Sequence, residues 1–489
     1  MVLKTIEKSL YNAGKEKSGT PIISKITTPL FWLLFLISAS TLVYYLIQQP
    51  VWKWQDVVHI NAFTLLLWCV VTLFSAIVST FAQNYLLGFK NQGSFSVMSL
   101  GFAFSVMLFI ASNHFLLLII SWLCMGFFMS RLIGSDTSWG EARQAGRYAL
   151  RFFIGGTLLL SLGLLIIYLY TQEHAISGAM PKITSIPDYA LWSSGLLIFI
   201  AAIIQSALYP FHRWLLSAMT APTPASALMH AGFVNGAGIV MSVLAPLFFA
   251  SNMLSLLFIV GGITAITAQF AKLLQVNIKQ KLACSTIAQM GFMIMQCGLG
   301  FFNAAVAHLI LHGFYKAYLF FSSGEEIERG IPKKQLPAKI SPLQACYVLI
   351  TGLAGAFLFS LLTHKTTITD SSIFLTLVVA ISVSQASYNI VRESSLSRWQ
   401  QLTLPLLLLV SGISMYAMVY NGVTVLMSEM AMTAVPQPIG AVHIIFGLVF
   451  IAGFFVMKLG LYRKIPWLYT QLLNATQPYT KTVLTFKKN

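Results

Sequence analysis

Between His308 and Lys316 the sequence HLILHGFYK sets three basic groups, His308, His312 and Lys316, at a strict four-residue step in an otherwise apolar run. Positions four apart lie on one helix face, so the side chains form a polar stripe roughly 12 Å long at ~1.5 Å per residue. Histidine changes charge near neutral pH and passes a proton through either ring nitrogen. A lysine withdrawn from water becomes an exchangeable proton carrier instead of a fixed charge. The chemistry of such a stripe is proton relay. The His308/His312 spacing would also suit a helical metal site, but no third His, Cys or carboxylate accompanies it in sequence, which argues against a metal.

Few other polar groups sit inside apolar runs: Gln205 shortly before Pro210, His230, and Gln289. A charged group at the centre of a bilayer costs a few kcal/mol (~2.5–3.5), so intramembrane polar residues are functional candidates by default. His230 taken alone equally suits a hydrogen bond between helices. The thirteen acids all lie near the ends of apolar runs or between them. An ion path would therefore lean on His, Lys, hydroxyl groups and water, which favours protons over sodium as the moving ion.

These residues require a membrane to be buried in. The chain has 489 residues, 57% hydrophobic and 9% charged, far below the ~25% charge of soluble domains. It reads as an all-α polytopic membrane protein, since a helix satisfies its own backbone inside lipid. About fourteen spans follow from run length, centred near residues 38, 70, 104, 123, 160, 199, 236, 264, 291, 312, 352, 381, 410 and 449. No cleavable signal is expected in residues 1–24. The five cysteines are scattered without metal or disulfide spacing. The formal charge of +17 falls almost entirely in alternate loops, and the opposite loops hold only Lys53, Lys182 and Lys365. This positive-inside bias places both termini in the cytoplasm. It accounts for the charge without nucleic acid and leaves a basic face for lipid or an acidic partner. Lys365 reads as an exterior-loop residue. MVLKTIEKSL, with Leu3, Ile6 and Leu10 on one stripe, and the tail 465–489, with Trp467 and Tyr469, both suit interfacial anchoring.

LYPFHRWLLSAMTAPTPASALMHAGFVNGAGI, residues 208–239, carries Pro210, Pro222 and Pro224 around Arg213. Proline removes a backbone donor and disfavours helix in the residue before it. Interrupted spans are tolerated only where buried in protein or lining a cavity, and transporters place ion sites there. Thr223 before Pro224 fits an N-cap with proline at the first helical position. Gly352 and Gly355 occupy a corresponding place in the second half.

LYPFHRWLLSAM and PTPASALMHAG, with NIKQKLACSTIAQMGF and AAVAHLILHGFYKAYLF, resemble the antiporter-like membrane subunits of respiratory complex I and of Mrp-type sodium/proton antiporters. The likeness spans roughly residues 95–330. It implies two inverted five-helix repeats with discontinuous helices and a mid-membrane axis of Lys, His and Glu. It divides the chain into a cytoplasmic amphipathic segment (1–27), peripheral helices (28–94), a first repeat (95–250), a second repeat (251–400), C-terminal helices (401–464) and a cytoplasmic tail (465–489). The family's first helix has no counterpart here. By resemblance His230, His308, His312 and Lys316 are proton-relay residues, joined by Ser285 and Gln289 of CSTIAQ. The departures fall mainly in the first half. Leu123 stands where the family has a glutamate, Gln205 where it has the partner lysine, and Ser217 and Asn277 where it has acids.

FHRWLLSAM followed by HAGFVNGAGIV resembles more closely the membrane subunits of DAB-type dissolved inorganic carbon transporters. That resemblance implies a two-subunit system of the bacterial inner membrane. The partner is a DabA-like cytoplasmic zinc protein similar to β-carbonic anhydrase, so zinc is expected on the partner and no cofactor in this chain. The membrane subunit conducts protons, with sodium as the alternative ion, to drive CO₂ hydration to bicarbonate on the partner. Arg213 and His212 at the helix break are expected to couple to it. The rival readings are a cation/proton antiporter or complex I-like pump subunit, and a non-conducting anchor.

Overall fold

The computed structural model describes residues 20–50, 52–323, 341–365, 369–393, 396–458, 460, 462 and 464–483. The amphipathic segment with Leu3, Ile6 and Leu10 lies outside the described residues. Sixteen helices of eight or more residues organise the described residues. In order they are α1 (Ile22–Gln48), α2 (Ala62–Tyr85), α3 (Gln92–Ala111), α4 (Phe115–Ile133), α5 (Gly140–Thr171) and α6 (Asp188–Gln205). Next come α7 (Thr223–Ala231), α8 (Gly236–Val243), α9 (Leu254–Leu274), α10 (Ile278–Gly298) and α11 (Phe302–Ser322). The last are α12 (Pro342–Leu362), α13 (Ser372–Arg392), α14 (Arg398–Leu426), α15 (Ala441–Lys458) and α16 (Pro466–Ala475). Each of the fourteen expected centres falls inside this set, with α7 and α8 sharing one interrupted span. Twelve spans are long and apolar enough to cross a membrane among the described residues. α10 and α15 are the two expected spans outside that group; α10 is the more polar one, with Lys279, Gln280, Lys281 and Gln289 along it. The chain is an all-α multi-pass membrane protein.

One element departs from the all-helical expectation. Trp52–Trp54 and Val58–Ile60 form a two-stranded hairpin with Lys53 opposite His59. Gln55 and Asp56 at its turn both take left-handed backbone, the geometry that lets a tight turn follow the strand twist.

The interruption around Pro210 and Pro222 is real, with one local difference. α6 ends at Gln205, a short helical turn occupies Arg213–Ser217, and α7 starts beyond Pro222. Pro222 is the N-cap and makes no side-chain cap bond. Thr223 is therefore inside the helix, and its hydroxyl donates to the Tyr85 hydroxyl at 3.1 Å. Proline's extended backbone supplies the entry angle that a capping side chain would otherwise set. Gly352 and Gly355 mark no break: α12 is continuous there. A Cβ at Gly352 would lie 1.9 Å from Ser384 Oγ, and one at Gly355 2.9 Å from Val383. Those glycines let α13 pack closely.

The same device joins α9 to α10. A Cβ at Gly261 would meet Met295 N at 2.5 Å, one at Gly291 would meet Ala265 N at 2.7 Å, and one at Gly298 would meet Phe258 N at 2.3 Å. Lipid offers no hydrophobic drive for helix association, so close backbone packing carries it. Gly298→Leu should lower the melting temperature of detergent-solubilised protein, at a cost of about 1–3 kcal/mol for the overpacking. An unchanged melting curve would contradict this packing.

A candidate proton path across the membrane

Lys316 is fully buried on α11, and its Nζ donates to the Leu282 carbonyl of α10 at 3.1 Å. One turn away His312 is buried, and neither ring nitrogen has a protein partner. Its ring lies 5.9 Å from that of His308, with the planes 27° apart. His308 also packs on Phe292 at 5.2 Å, and its Nε2 has no protein partner. The four-residue step thus becomes one continuous inward-facing column.

His230 joins it from another element. It sits near the end of α7, fully buried, stacked on the Phe320 ring of α11 at 4.5 Å. His312 is within electrostatic reach of Lys316, His308 and His230. Two small details bring α7 so near. Gly313 leaves space for the Ala231 carbonyl, which a Cβ there would meet at 3.1 Å. Asn235, in the turn between α7 and α8, donates to the Ala231 carbonyl at 2.7 Å and to Leu309 of α11 at 3.4 Å. On α10, Leu282, Ser285 and Gln289 are three and four residues apart and share a face; Ser285 is buried and Gln289 half-buried.

The first half is neutral where it meets this centre. Gln205 is buried, with Nε2 at 3.4 Å from the Phe233 carbonyl, and the Ser206 hydroxyl donates to Val234. Trp214 Nε1 donates to the Ile204 carbonyl across the break at 2.8 Å. The two interruptions, 206–212 and 232–235, are therefore bonded to each other. Leu123 is 39% exposed on α4 and turns away from this region, whereas its neighbour Trp122 is buried beside Gly236. Asn277 keeps a capping role, its side chain accepting from Lys279 N and Gln280 N.

Two expectations need correction. His212 is not an open coupling residue. It is buried, and its Nε2 lies 2.6 Å from the Ala475 carbonyl of the chain's own tail, while Arg213 is exposed. Lys365 is not an exposed loop residue either. It is 8% exposed, with its ammonium 3.5 Å from the Phe301 ring centre and 5.1 Å from that of Tyr420. The stub of loop after α12 folds inward because Ser360 and Lys365 exchange two hydrogen bonds, Lys365 N to Ser360 O and Ser360 Oγ to Lys365 O.

Lys365 belongs to a polar cluster that sequence reasoning missed. Asn303, at the start of α11, donates to the Tyr420 hydroxyl at 3.0 Å and to Thr424 Oγ1 at 2.8 Å. Tyr416 stacks on Tyr420 at 6.4 Å and lies beside Gln296 of α10. Tyr416, Tyr420 and Thr424 repeat the four-residue step of His308, His312 and Lys316, which was the signal available. Toward the other end, Lys279 Nζ donates to the Ala221 carbonyl at 2.8 Å, tying α10 to the segment between the prolines and α7.

With this geometry in place, comparison with known proteins is informative. The family model of the transmembrane region of NADH:quinone oxidoreductase and Mrp antiporter subunits matches residues 112–350. Those residues, just under half of the chain, are similar to the antiporter-like family. The domain carries the Lys–His column and both interruptions, and its helices continue on either side of the match. The chain is 32% identical over 335 residues to the probable inorganic carbon transporter subunit DabB1 of Halothiobacillus neapolitanus, covering 64% of this chain and 59% of that one. It is 30% identical over 273 residues to the probable inorganic carbon transporter subunit DabB of Bacillus subtilis, covering 55% and 54%. The matches thus span little more than half the length of these curated relatives. In fold, the chain superposes on a chain of the membrane-bound sulfane sulfur reductase, an archaeal respiratory membrane complex, with a TM-score of 0.59 at 19% identity, covering 95% of each.

Burial lowers Lys365 from 10.5 to about 8, with the charge of Asp370 opposing the shift. Between those two values the unfolded chain binds the proton that the folded chain has lost, so this group makes stability rise with pH across pH 8 to 10.5. Lys365→Met should lack that part of the slope when melting temperatures in detergent are compared across the window. Identical slopes would show that Lys365 is solvated in the folded protein.

Proposed function

We propose that this chain is the proton-conducting membrane subunit of a two-subunit, energy-coupled complex that accumulates inorganic carbon. It would sit in a bacterial inner membrane with both termini in the cytoplasm. The observation that carries the reading is the column of half-buried His308 with buried His312 and Lys316, joined by buried His230, in an antiporter-like domain whose curated relatives include subunits named for inorganic carbon transport.

Protons enter from the end of the molecule that holds Lys365, Tyr420 and Asn303, the face opposite the basic loops. They pass His308 and His312, each of which accepts at one ring nitrogen and releases from the other. Water bridges the intervals, because the rings stand too far apart for a direct bond. Lys316 takes the proton as an ammonium, held by the Leu282 carbonyl, and releases it toward the basic end. Ser285 and Gln289 line the same side. His230 tunes Lys316 by repulsion: two cations in this low-dielectric pair disfavour each other, so charging one discharges the other.

The flow of protons down their gradient would power one-way hydration of CO₂ to bicarbonate on a cytoplasmic zinc partner. The catalytic step belongs to that partner. Arg213, exposed at the break, is the residue on this chain offered to it. The likeness to complex I and Mrp subunits keeps a second reading, a cation/proton antiporter or redox-pump subunit; the identity of the co-purifying partner separates the two.

Lys316→Ala should abolish growth in air of a host lacking carbonic anhydrase that depends on the complex, at unchanged membrane abundance. Full growth would remove Lys316 from the mechanism. In liposomes containing the purified complex, the same variant should collapse a pH gradient at least tenfold more slowly than the parent. A parent complex that passes no protons would leave the chain as a membrane anchor.

A further inference from the structure

The C-terminal segment makes contacts that the proton path does not use. α16 packs against α9 in the second half. Beyond it the chain crosses to the first half and binds the interrupted span at three points. The Ala475 carbonyl lies 2.6 Å from His212 Nε2. Tyr479 N donates to Ser217 Oγ at 3.0 Å, and the Ser217 and Thr482 hydroxyls hydrogen-bond at 3.0 Å, the Thr482 proton going to the Tyr479 carbonyl at 2.6 Å. The Tyr479 ring lies flat on that of Tyr148 of α5, with centres 4.4 Å apart and planes 4° from parallel.

These contacts fall on the part of the molecule with most reason to move. The short turn Arg213–Ser217 stands between two stretches without helix, 206–212 and 221–222. Ala207, within the break, holds left-handed backbone (φ 55°) although fully buried. A residue with a Cβ in that region is strained by roughly 1 kcal/mol, so surrounding contacts must maintain it. The tail supplies hydrogen bonds to both ends of the turn, His212 and Ser217. The Ala475 carbonyl accepts from His212 Nε2 and, with the Pro210 backbone, orients its ring. The Ser217 hydroxyl accepts from Tyr479 N and donates to Thr482 Oγ1.

We infer that residues 475–482 form a displaceable strap that links the two halves and holds the inner part of the interrupted span shut. Ion passage requires its release. The inference rests on the proposed conduction, but the strap itself is a mechanical statement about residues 206–217 that can be tested separately.

The strap is short, near the chain end, and its bonds are few. Three hydrogen bonds of about 0.5–1.5 kcal/mol each and one stacked pair are enough to hold a segment and weak enough to release on a conformational time scale. Because α16 is anchored on the second half, movement of α9 and α10 pulls on the first-half break through it. Lys279, which bonds the Ala221 carbonyl from α10, makes a second link on the other side of the same turn. The interrupted span is thus held from the second half at both ends.

Two variants test this. Truncation after Asn474 removes the strap. Hydrogen–deuterium exchange at residues 206–217 should then quicken at least tenfold, while exchange in α9 to α11 stays as in the parent. In liposomes the truncated chain should collapse a pH gradient several-fold faster than the intact one. Ser217→Cys with Thr482→Cys places two thiols where oxygens stand 3.0 Å apart. Oxidation should lock the strap and slow the flux at least tenfold, and reduction should restore it in the same sample. The parent, with its five native cysteines, is treated identically as control. Unchanged exchange on truncation, or an oxidised pair that conducts like its reduced form, overturns the strap. A parent with no flux in any state but fast exchange on truncation overturns the conduction reading and leaves the strap standing.

Discussion

The bond from Lys316 Nζ to the Leu282 carbonyl is the contact on which the rest of the arrangement turns. An ammonium buried to this depth needs a counter-charge or a cheap route to neutrality. No carboxylate pairs with it among the described residues. A single carbonyl holds the donor in place without fixing its charge, as a carboxylate would. The lysine is left exchangeable, and everything nearby is built from groups that share the property: three imidazoles, hydroxyls and amides.

The packing that makes this possible is made of absences of side chain. Gly313 admits α7 to α11, and Gly261, Gly291 and Gly298 draw α9 onto α10. Gly313 lets His230 of α7 and the histidines of α11 face one interior. The interrupted spans contribute the complementary feature. Where helical hydrogen bonding stops, Gln205 and Ser206 satisfy freed carbonyls of the opposing break, and Asn235 bonds the Ala231 carbonyl at the end of its own helix. Buried backbone must be paired somewhere, and here the pairing welds one break to the other.

Most of this was legible in the sequence for a local reason. Length and polarity of runs locate helices, and a four-residue step survives folding because it depends only on helix geometry. His308, His312 and Lys316 therefore came out as a column, and the proline-rich stretch as a break. The same rule also covered Tyr416, Tyr420 and Thr424, but tyrosine at a helix face is ordinary packing unless its partners are known, and Asn303 lies over a hundred residues away. Lys365 was hidden by a boundary: it follows α12 by three residues, and only the turn made by Ser360 shows that it points inward. His212 was hidden by the tail, whose contact with it spans 263 residues. Leu123 illustrates a different limit. Sequence alignment assigns a residue to a position but not to a face, and position 123 faces out.

The asymmetry of the two halves bears on what can move through them. In the first half the positions that would carry an acid and a base are Leu123, Gln205 and Ser217, none of which titrates. In the second, the buried charged side chains and histidines among the described residues, Lys316, Lys365, His312 and His443, are all bases. A path lined by bases alone meets a metal cation with repulsion and offers it no anionic oxygen to replace its water. A proton is different, because it binds the base and removes the repulsion by moving on. On the proposed reading, cationic charge would advance along the column as protonation, one site at a time, each site returning to neutral behind it.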